Sequence, residues 1–414
     1  MAIGSAGGAG EMGIANGHEA SVKDWGSMSV EQGANREALF TPLKIRGMTL
    51  RNRIVMSPMT RGFSPNGVPA DDVANYYRRR AEGGAGLIIT EGVAVDHPAA
   101  LGDAGLGEDN IPLLGNAAAV DGWRKVVDGV HAKGAKIVPQ LWHQGAMRKP
   151  RTGPYPEVPS VSPSGLWGPI NSMTSIDPKS IPADSKIGEP MSEAQIEEAI
   201  TAFVRCAVNA AEAGFDGIAL HGGHGYLIDN FLWEGTNQRD DRWGGSRTKR
   251  SEFPAEIVRR IRAAVGEDLP IFFRFSQWKQ QDFRATLADN PGELREVLQP
   301  LAAAGVDVFD ASVRYYNRAA FEGDPACLAG VARRVTGKLS MAVGGIGINQ
   351  GMYDRDKATA VVSDFTPLLD RFHAGEFDLA AIGRAMIGDS SWAEKFRAGQ
   401  ATDPYLIEND CILS

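Results

Sequence analysis

Two imidazoles and a phenol stand close together in His221-Gly-Gly-His224-Gly-Tyr226, directly after the apolar run Phe215 to Leu220. Neutral imidazoles can donate hydrogen bonds, and a phenol, with an ordinary pKa of about 10, carries a proton at pH 7 that it can deliver. Glycines between them let the backbone turn sharply and let a ligand approach. The grouping therefore suits stabilisation of a developing oxyanion coupled to proton transfer. His-x-x-His can also chelate zinc, but zinc takes three or four protein ligands and no further Cys, His or Asp cluster lies nearby. The plain alternative is a pair of surface histidines following a strand.

A second group favours a bound anion. Gly344-Gly345 and Gly383-Arg384 each end an apolar run. Backbone N–H groups at such positions cradle phosphates, and Arg384 adds a permanent forked charge. That signal fits an aldolase or a sugar-phosphate isomerase as well as any other phosphate binder. Gln140 offers a donor and an acceptor in one plane, suited to a pyrimidine-like edge. Arg274 ends a buried run and needs an anionic partner, either an ion-paired carboxylate of the protein or a ligand that becomes anionic.

These residues need a scaffold that brings them to one end. Strand-like runs at Arg53–Met59, Gly86–Glu91, Lys136–Trp142, Gly217–His221, Ile271–Ser276, Val306–Ala311, Leu339–Val343 and Asp378–Gly383 alternate with helical stretches. The helices are expected near 71–83, 117–133, 192–213, 249–265, 291–304, 325–336, 364–373 and 391–398. Ser192 with Gln195 has the pattern of a capping box, and Ile196, Ile200, Phe203, Val204 and Ala207 share one face. Eight β/α units with apolar strands predict an α/β fold, a closed parallel TIM (β/α)8 barrel. A doubly wound open sheet is the alternative, but no Gly-x-Gly-x-x-Gly follows the first strand. In a barrel the chemistry sits at the C-terminal strand ends, where Thr60, Glu91, Gln140, His221, Arg274, Gly344 and Gly383 fall.

An N-terminal hairpin is expected around Arg46-Gly47. Residues 1–35, rich in Gly, Ala and Ser, predict a tail without fixed structure, and 36–414 a single barrel domain. The long connection after strand three, Gly145 to Pro190, is either a wall over a ligand, through Leu166, Trp167 and Ile170, or an anchor to the barrel.

Composition narrows the partners. At 414 residues, with 43% hydrophobic and 23% charged residues, the chain reads as globular. A net charge of −8 gives no basic footprint for nucleic acid. No apolar run reaches membrane-span length, and the N-terminus lacks a secretory pattern. Three scattered cysteines, Cys206, Cys327 and Cys411, form no Cys-x-x-Cys pair, which argues against a disulfide framework, structural zinc or an iron–sulfur cluster and predicts a reducing, cytoplasmic setting. Monomer and homo-oligomer both stay open.

The chain resembles the Old Yellow Enzyme family of flavin-dependent ene reductases from about Leu39 to Gly399. The resemblance rests on Leu-Phe-Thr-Pro-Leu, Ser57-Pro-Met-Thr60, Gly86-Leu-Ile-Ile-Thr-Glu91-Gly92 and Gln140-Leu-Trp-His143-Gln-Gly145. It continues through His221-Gly-Gly-His224-Gly-Tyr226, Asn237-Gln-Arg-Asp-Asp-Arg-Trp-Gly244-Gly245-Ser246 and Gly383-Arg384. It implies noncovalent FMN at the barrel mouth, with Pro58, Met59 and Thr60 along one side of the ring and Gly92 approaching through its backbone. Gln140 would take the pyrimidine edge, Arg274 the negative charge on N1 and the C2 carbonyl, and Gly344, Gly345, Gly383 and Arg384 the phosphate.

The implied reaction passes hydride from NADPH or NADH through the flavin to the β-carbon of an activated alkene. His221 and His224 would hold the substrate oxygen, and Tyr226 would protonate the α-carbon. Two features depart from the best-known members. Arg274-Phe-Ser-Gln-Trp278-Lys279 replaces their Ser-Pro or Ser-Ala loop, and Val313-Arg314-Tyr315-Tyr316 brings two phenols to the mouth. Trp278, Tyr315 and Tyr316 either shape the pocket for an aromatic substrate or pack. Dienoyl-CoA reductases need iron–sulfur cysteines that are absent here, and a barrel lyase would commonly need a Lys or a metal at a strand end. The remaining alternatives are an FMN-binding barrel oxidoreductase with a different oxidant and a flavin-binding protein without an ene-reductase role.

Overall fold

The structure is a computed structural model that describes residues 35–103, 110–169, 173–174, 176, 181–349 and 361–414. Residues 1–34, almost all of the expected tail, and Ile170 of the long connection lie outside them.

A hairpin precedes the barrel in the chain, from β1 (Leu43–Ile45) and β2 (Met48–Leu50), antiparallel with Ile45 opposite Met48. Eight parallel strands then close into a barrel: β3 (Ile54–Met56), β4 (Leu87–Ala94), β5 (Lys136–Trp142), β6 (Ile218–His221), β7 (Ile271–Ser276), β8 (Val308–Ser312), β9 (Leu339–Val343) and β10 (Leu379–Ile382), with β10 pairing back onto β3. The chain is a TIM barrel.

The expected helices are present as α1 (Asp71–Glu82), α2 (Ala117–His131), α3 (Glu193–Glu212), then α6 (Glu252–Val265), α7 (Pro291–Ala304), α8 (Leu328–Thr336), α9 (Thr366–His373) and α11 (Trp392–Ala398). Three short helices join them: α4 (Leu227–Leu232), α5 (Arg247–Arg250) and α10 (Arg384–Gly388). At four to six residues they are too short for a 3.6-residue periodicity to show. The Ser192 capping box closes both ways: the hydroxyl accepts from Gln195 N, and the Gln195 amide accepts from Ser192 N at 2.9 Å.

Strand side chains alternate with a period of two, so each strand serves two cores. Ile54, Ile88, Ile137, Ile218 and Ile271 face the helices. Their neighbours Val55, Leu87, Ile89, Val138, Ala219, Phe272, Val308, Met341, Leu379 and Ala381 fill the barrel interior. Ile45, Met48 and Leu50 of the hairpin join that interior cluster and plug the bottom of the barrel. The hairpin turn is held there by Arg46, whose Nε reaches Asp307 Oδ1 at 2.6 Å, and by Gly47 N on Asp268 O.

Candidate active site

One step of the two-residue period above the apolar layer brings polar side chains inward. Val138 is followed by Gln140, Ala219 by His221, Phe272 by Arg274, Val308 by Asp310 and Val55 by Ser57. All five are buried. Cross-strand register sets His221 opposite Arg274 and Arg274 opposite Asp310. The strand ends thus form a polar ring at the C-terminal mouth, as expected for a barrel.

Arg274 has found the protein carboxylate foreseen as one of its two possible partners. Its Nε donates to Asp310 Oδ2 at 2.5 Å and its Nη2 to Ser57 Oγ at 3.0 Å. Asp310 was not singled out in the sequence, because nothing local distinguishes it from any other strand aspartate. Its other oxygen, Oδ1, and Gln140 Nε2 are buried without a protein hydrogen-bond partner. Buried polar groups are ordinarily satisfied, so an orphan donor on the inner wall of the mouth marks a place for a polar ligand edge.

β4 corrects one expectation. It runs past Glu91 to Ala94, and its register shifts between Ile89 and Gly92, a β-bulge. The shift turns Glu91 out of the barrel interior, where its Oε2 accepts from Arg61 N at 2.8 Å and Gly62 N at 2.9 Å. Glu91 therefore pins the loop carrying Pro58, Met59 and Thr60, and burial pushes its carboxyl up to about 7. Gly92 now stands against Trp142, so close that a Cβ would lie 2.7 Å from the indole. Packing alone thus accounts for a glycine at 92.

The His221 to Tyr226 turn is held on both sides. His224 has a positive φ of 63°, unusual for a residue with a Cβ, and Gly225 follows at 85°. The strained turn is fastened by His224 N on Ser276 Oγ at 2.8 Å and Gln280 N on His224 O at 3.2 Å. On the other side Leu227 N donates to His143 O, and Asn230 Oδ1 accepts from Ala146 N, so the loop after β5 grips the start of α4.

As a result the three sequence-predicted groups converge. The ring centres of His221 and His224 lie 5.0 Å apart, and those of His221 and Tyr226 4.8 Å apart. Trp142 meets Tyr226 edge-on at 4.9 Å. Burial, with the Arg274 charge nearby, holds the His221 imidazole down at about 3, and burial takes His224 well below its ordinary value. Both rings are neutral at pH 7 and act as hydrogen-bonding groups rather than as cations. His221 Nδ1 faces Gly223 N at 3.5 Å, which favours the proton on Nε2. His224 Nε2 meets Ser312 Oγ at 2.8 Å, a partner the sequence did not disclose.

The remaining expected positions sort as follows. Pro58 is buried, Met59 half-buried and Thr60 exposed, directly after β3. A Cβ on Gly383 would lie 3.5 Å from Met59 Sδ, so the ends of β10 and β3 adjoin. Gly344, with φ 129°, passes so near Val313 O that a Cβ would sit 2.0 Å away, and Gly345 continues the turn at φ 73°. Arg384 opens α10 with its guanidinium 5.7 Å from the Tyr405 ring. Trp167 is buried with Trp142 and Tyr226, which makes the long connection an anchor at that point. Trp278 stacks on His224 at 4.5 Å, whereas Tyr316 packs into the helix-facing core. Among the described residues no group of three or more His, Cys, Asp or Glu gathers to hold a metal, and no helix is long and apolar enough to cross a membrane.

A closed parallel barrel with polar side chains gathered at its C-terminal mouth has the architecture of the TIM-barrel enzymes. Residues 38–403 match the NADH:flavin oxidoreductase / NADH oxidase family. The chain belongs to this FMN-dependent oxidoreductase family, that of the Old Yellow Enzymes. It is 33% identical over 376 residues to an NADH oxidase of Thermoanaerobacter brockii, covering 88% of this chain and 51% of that protein, so it spans about half that relative's length. It is 30% identical over 387 residues to 12-oxophytodienoate reductase 7 of Oryza sativa subsp. japonica, covering 91% of this chain and 92% of the relative. The Old Yellow Enzyme of Pichia sp. AKU4542 superposes with a TM-score of 0.72 at 25% identity over 90% of each chain.

Proposed function

We propose that the chain reduces activated alkenes, those conjugated to a carbonyl or nitro group, with NADPH or NADH as the hydride source. When bound, FMN supplies a ring that accepts hydride from the nicotinamide and returns it to a second substrate. The residues present fit that group. Gln140 Nε2 is an unfilled buried donor on the inner wall, and Arg274, two strands along the same polar ring, carries a fixed positive charge. Pro58, Met59, Thr60 and Gly92 would line the ring, and Gly344, Gly345, Gly383 and Arg384 would hold the phosphate.

The observation that carries the reading is the convergence of two neutral imidazoles, His221 buried in that ring of polar groups and His224 half-buried beside it, on a phenol. His221 and His224 would hydrogen-bond the substrate's oxygen. Charge grows on that oxygen as the β-carbon is reduced, and pre-set donors in a water-poor site stabilise it. Tyr226 would deliver its proton to the α-carbon. The oxo-dienoate in the name of one relative and the NADH in that of another agree with this substrate class and donor. The two buried thiols, Cys206 and Cys327, and the free Cys411 agree with a reducing cytoplasm.

An anaerobic titration tests the reading. Stoichiometric NADPH or NADH should bleach the flavin band of the purified holoenzyme, and 2-cyclohexenone should restore it. A band that bleaches and stays bleached with the enone would remove alkenes of this class as substrates. A protein that cannot be loaded with FMN would overturn the reading altogether.

A further inference from the structure

The loop after β7, Ser276 to Gln281, has no role in the proposed function, yet it lies along the whole His224–Tyr226 turn. His224 and Lys279 form a parallel bridge. Lys279 Nζ, fully buried, reaches Asp229 Oδ1 at 2.8 Å and Ser276 O at 3.0 Å, and the other oxygen of Asp229 accepts from Gly225 N at 2.7 Å. Gln281 Nε2 donates to Gly225 O at 2.9 Å. A buried ion pair and the Gln281 amide thus lock the turn against this loop. Between them stands Gln280, buried, its own carbonyl accepting from Thr174 Oγ1 and its N–H engaged by His224 O. Its side-chain Nε2 donates to Tyr226 Oη at 2.9 Å.

We propose that Gln280 is a positioning residue for the acid Tyr226, a role that rests on the alkene-reductase reading above. Because Gln280 donates to Oη, the phenol's own proton lies in another direction from that oxygen. When the O–H bond breaks, its proton joins the α-carbon's electron pair to form the new C–H bond, and the bonding electrons stay on Oη as a phenolate. The Gln280 bond then becomes charge-assisted, roughly twice as strong as a neutral one. The amide therefore favours the transition state over the ground state. Solvent returns the proton afterwards.

The test compares wild type, Gln280→Met, Gln280→Glu, Tyr226→Phe and the Tyr226→Phe/Gln280→Met double variant as FMN-loaded enzymes in stopped flow. Gln280→Met should slow reoxidation by 2-cyclohexenone about tenfold, the scale of one hydrogen bond strengthened in the transition state. Its KM for the enone and its reduction by NADPH should stay as in wild type, and its solvent isotope effect on reoxidation should grow. In ultraviolet pH titration, with Tyr226→Phe as the blank, the Tyr226 phenolate should form at higher pH in Gln280→Met. The same substitution in the Tyr226→Phe background should change nothing. An equal slowing in that background, or of both half-reactions, would make the residue merely structural and overturn the proposal. Wild-type reoxidation by Gln280→Glu, an acceptor only, would also overturn it. A slow Tyr226→Phe beside an unaffected Gln280→Met would sink the positioning role alone. A Tyr226→Phe enzyme that reoxidises at the wild-type rate would remove the acid and its positioning together.

Discussion

The two ends of the barrel are built from the same strands and do opposite work. At the bottom, Val55, Leu87, Val138, Phe272, Val308 and Leu379 meet Ile45, Met48 and Leu50 of the hairpin in a closed apolar layer. At the mouth, the next inward residues along several of the barrel strands are Ser57, Gln140, His221, Arg274 and Asp310. A single two-residue step separates an interior that gives stability through burial from one that spends stability on polar groups. The bottom needs only volume and apolarity, so many sequences would serve there. The mouth needs particular partners, since each buried charge or amide is costly unless matched.

Four variants sharpen that contrast. Arg274→Leu should have the largest effect, because it strands Asp310 as a buried, unpaired charge. Chemical denaturation should show a loss of about 3–5 kcal/mol together with loss of FMN. Arg274→Met combined with Asp310→Leu should recover most of the stability but not the FMN. If the single variant alone lost no stability, the ion pair would not be a buried liability at all.

Leu50→Ala opens a cavity in the plug at the other end. A cost of about 2–5 kcal/mol is expected, read as a lower denaturation midpoint. FMN affinity and alkene turnover below that midpoint should stay unchanged. A fall in turnover that matched the fall in stability would mean that the two ends are coupled through the strands.

A third effect, confined to a pH window, is of similar or smaller size. Glu91 is raised to about 7 in the fold from 4.5. Between these values the folded protein holds a proton that the unfolded chain has lost, so the group's contribution to stability falls as pH rises through that window. Glu91→Gln removes this loss while leaving an acceptor for Arg61 N and Gly62 N. Its stability relative to wild type should grow from pH 4.5 and level off above 7, reaching on the order of 3 kcal/mol. His221 works with the opposite sign. Its folded value near 3 lies below the ordinary 6.5, so its stabilisation is complete above 6.5 and lost as pH falls from there toward 3. A flat difference between Glu91→Gln and wild type across pH 4.5–7 would show that Glu91 is solvated.

Much of this was legible in the chain. Periodicity and caps located the helices to within a few residues, and three strands, Lys136–Trp142, Ile271–Ser276 and Leu339–Val343, run as expected. The His221/His224/Tyr226 grouping was legible because its members lie within six residues of one another, on a turn whose glycines announce themselves. Local order depends on neighbours in sequence, and the sequence states those directly.

What tertiary structure alone decided depends on register between strands far apart in the chain. The Arg274–Asp310 pair spans thirty-six residues, the Ser312 contact to His224 eighty-eight and the Gln280 contact to Tyr226 fifty-four. The bulge in β4 that turns Glu91 out of the barrel interior has no local signature, because it follows from pairing with β5. A strand's sequence determines which residues alternate, but only closing the barrel determines which partner each inward side chain meets. The chain therefore specified its chemical groups by itself, and the fold supplied the neighbours that set their charge, tautomer and aim.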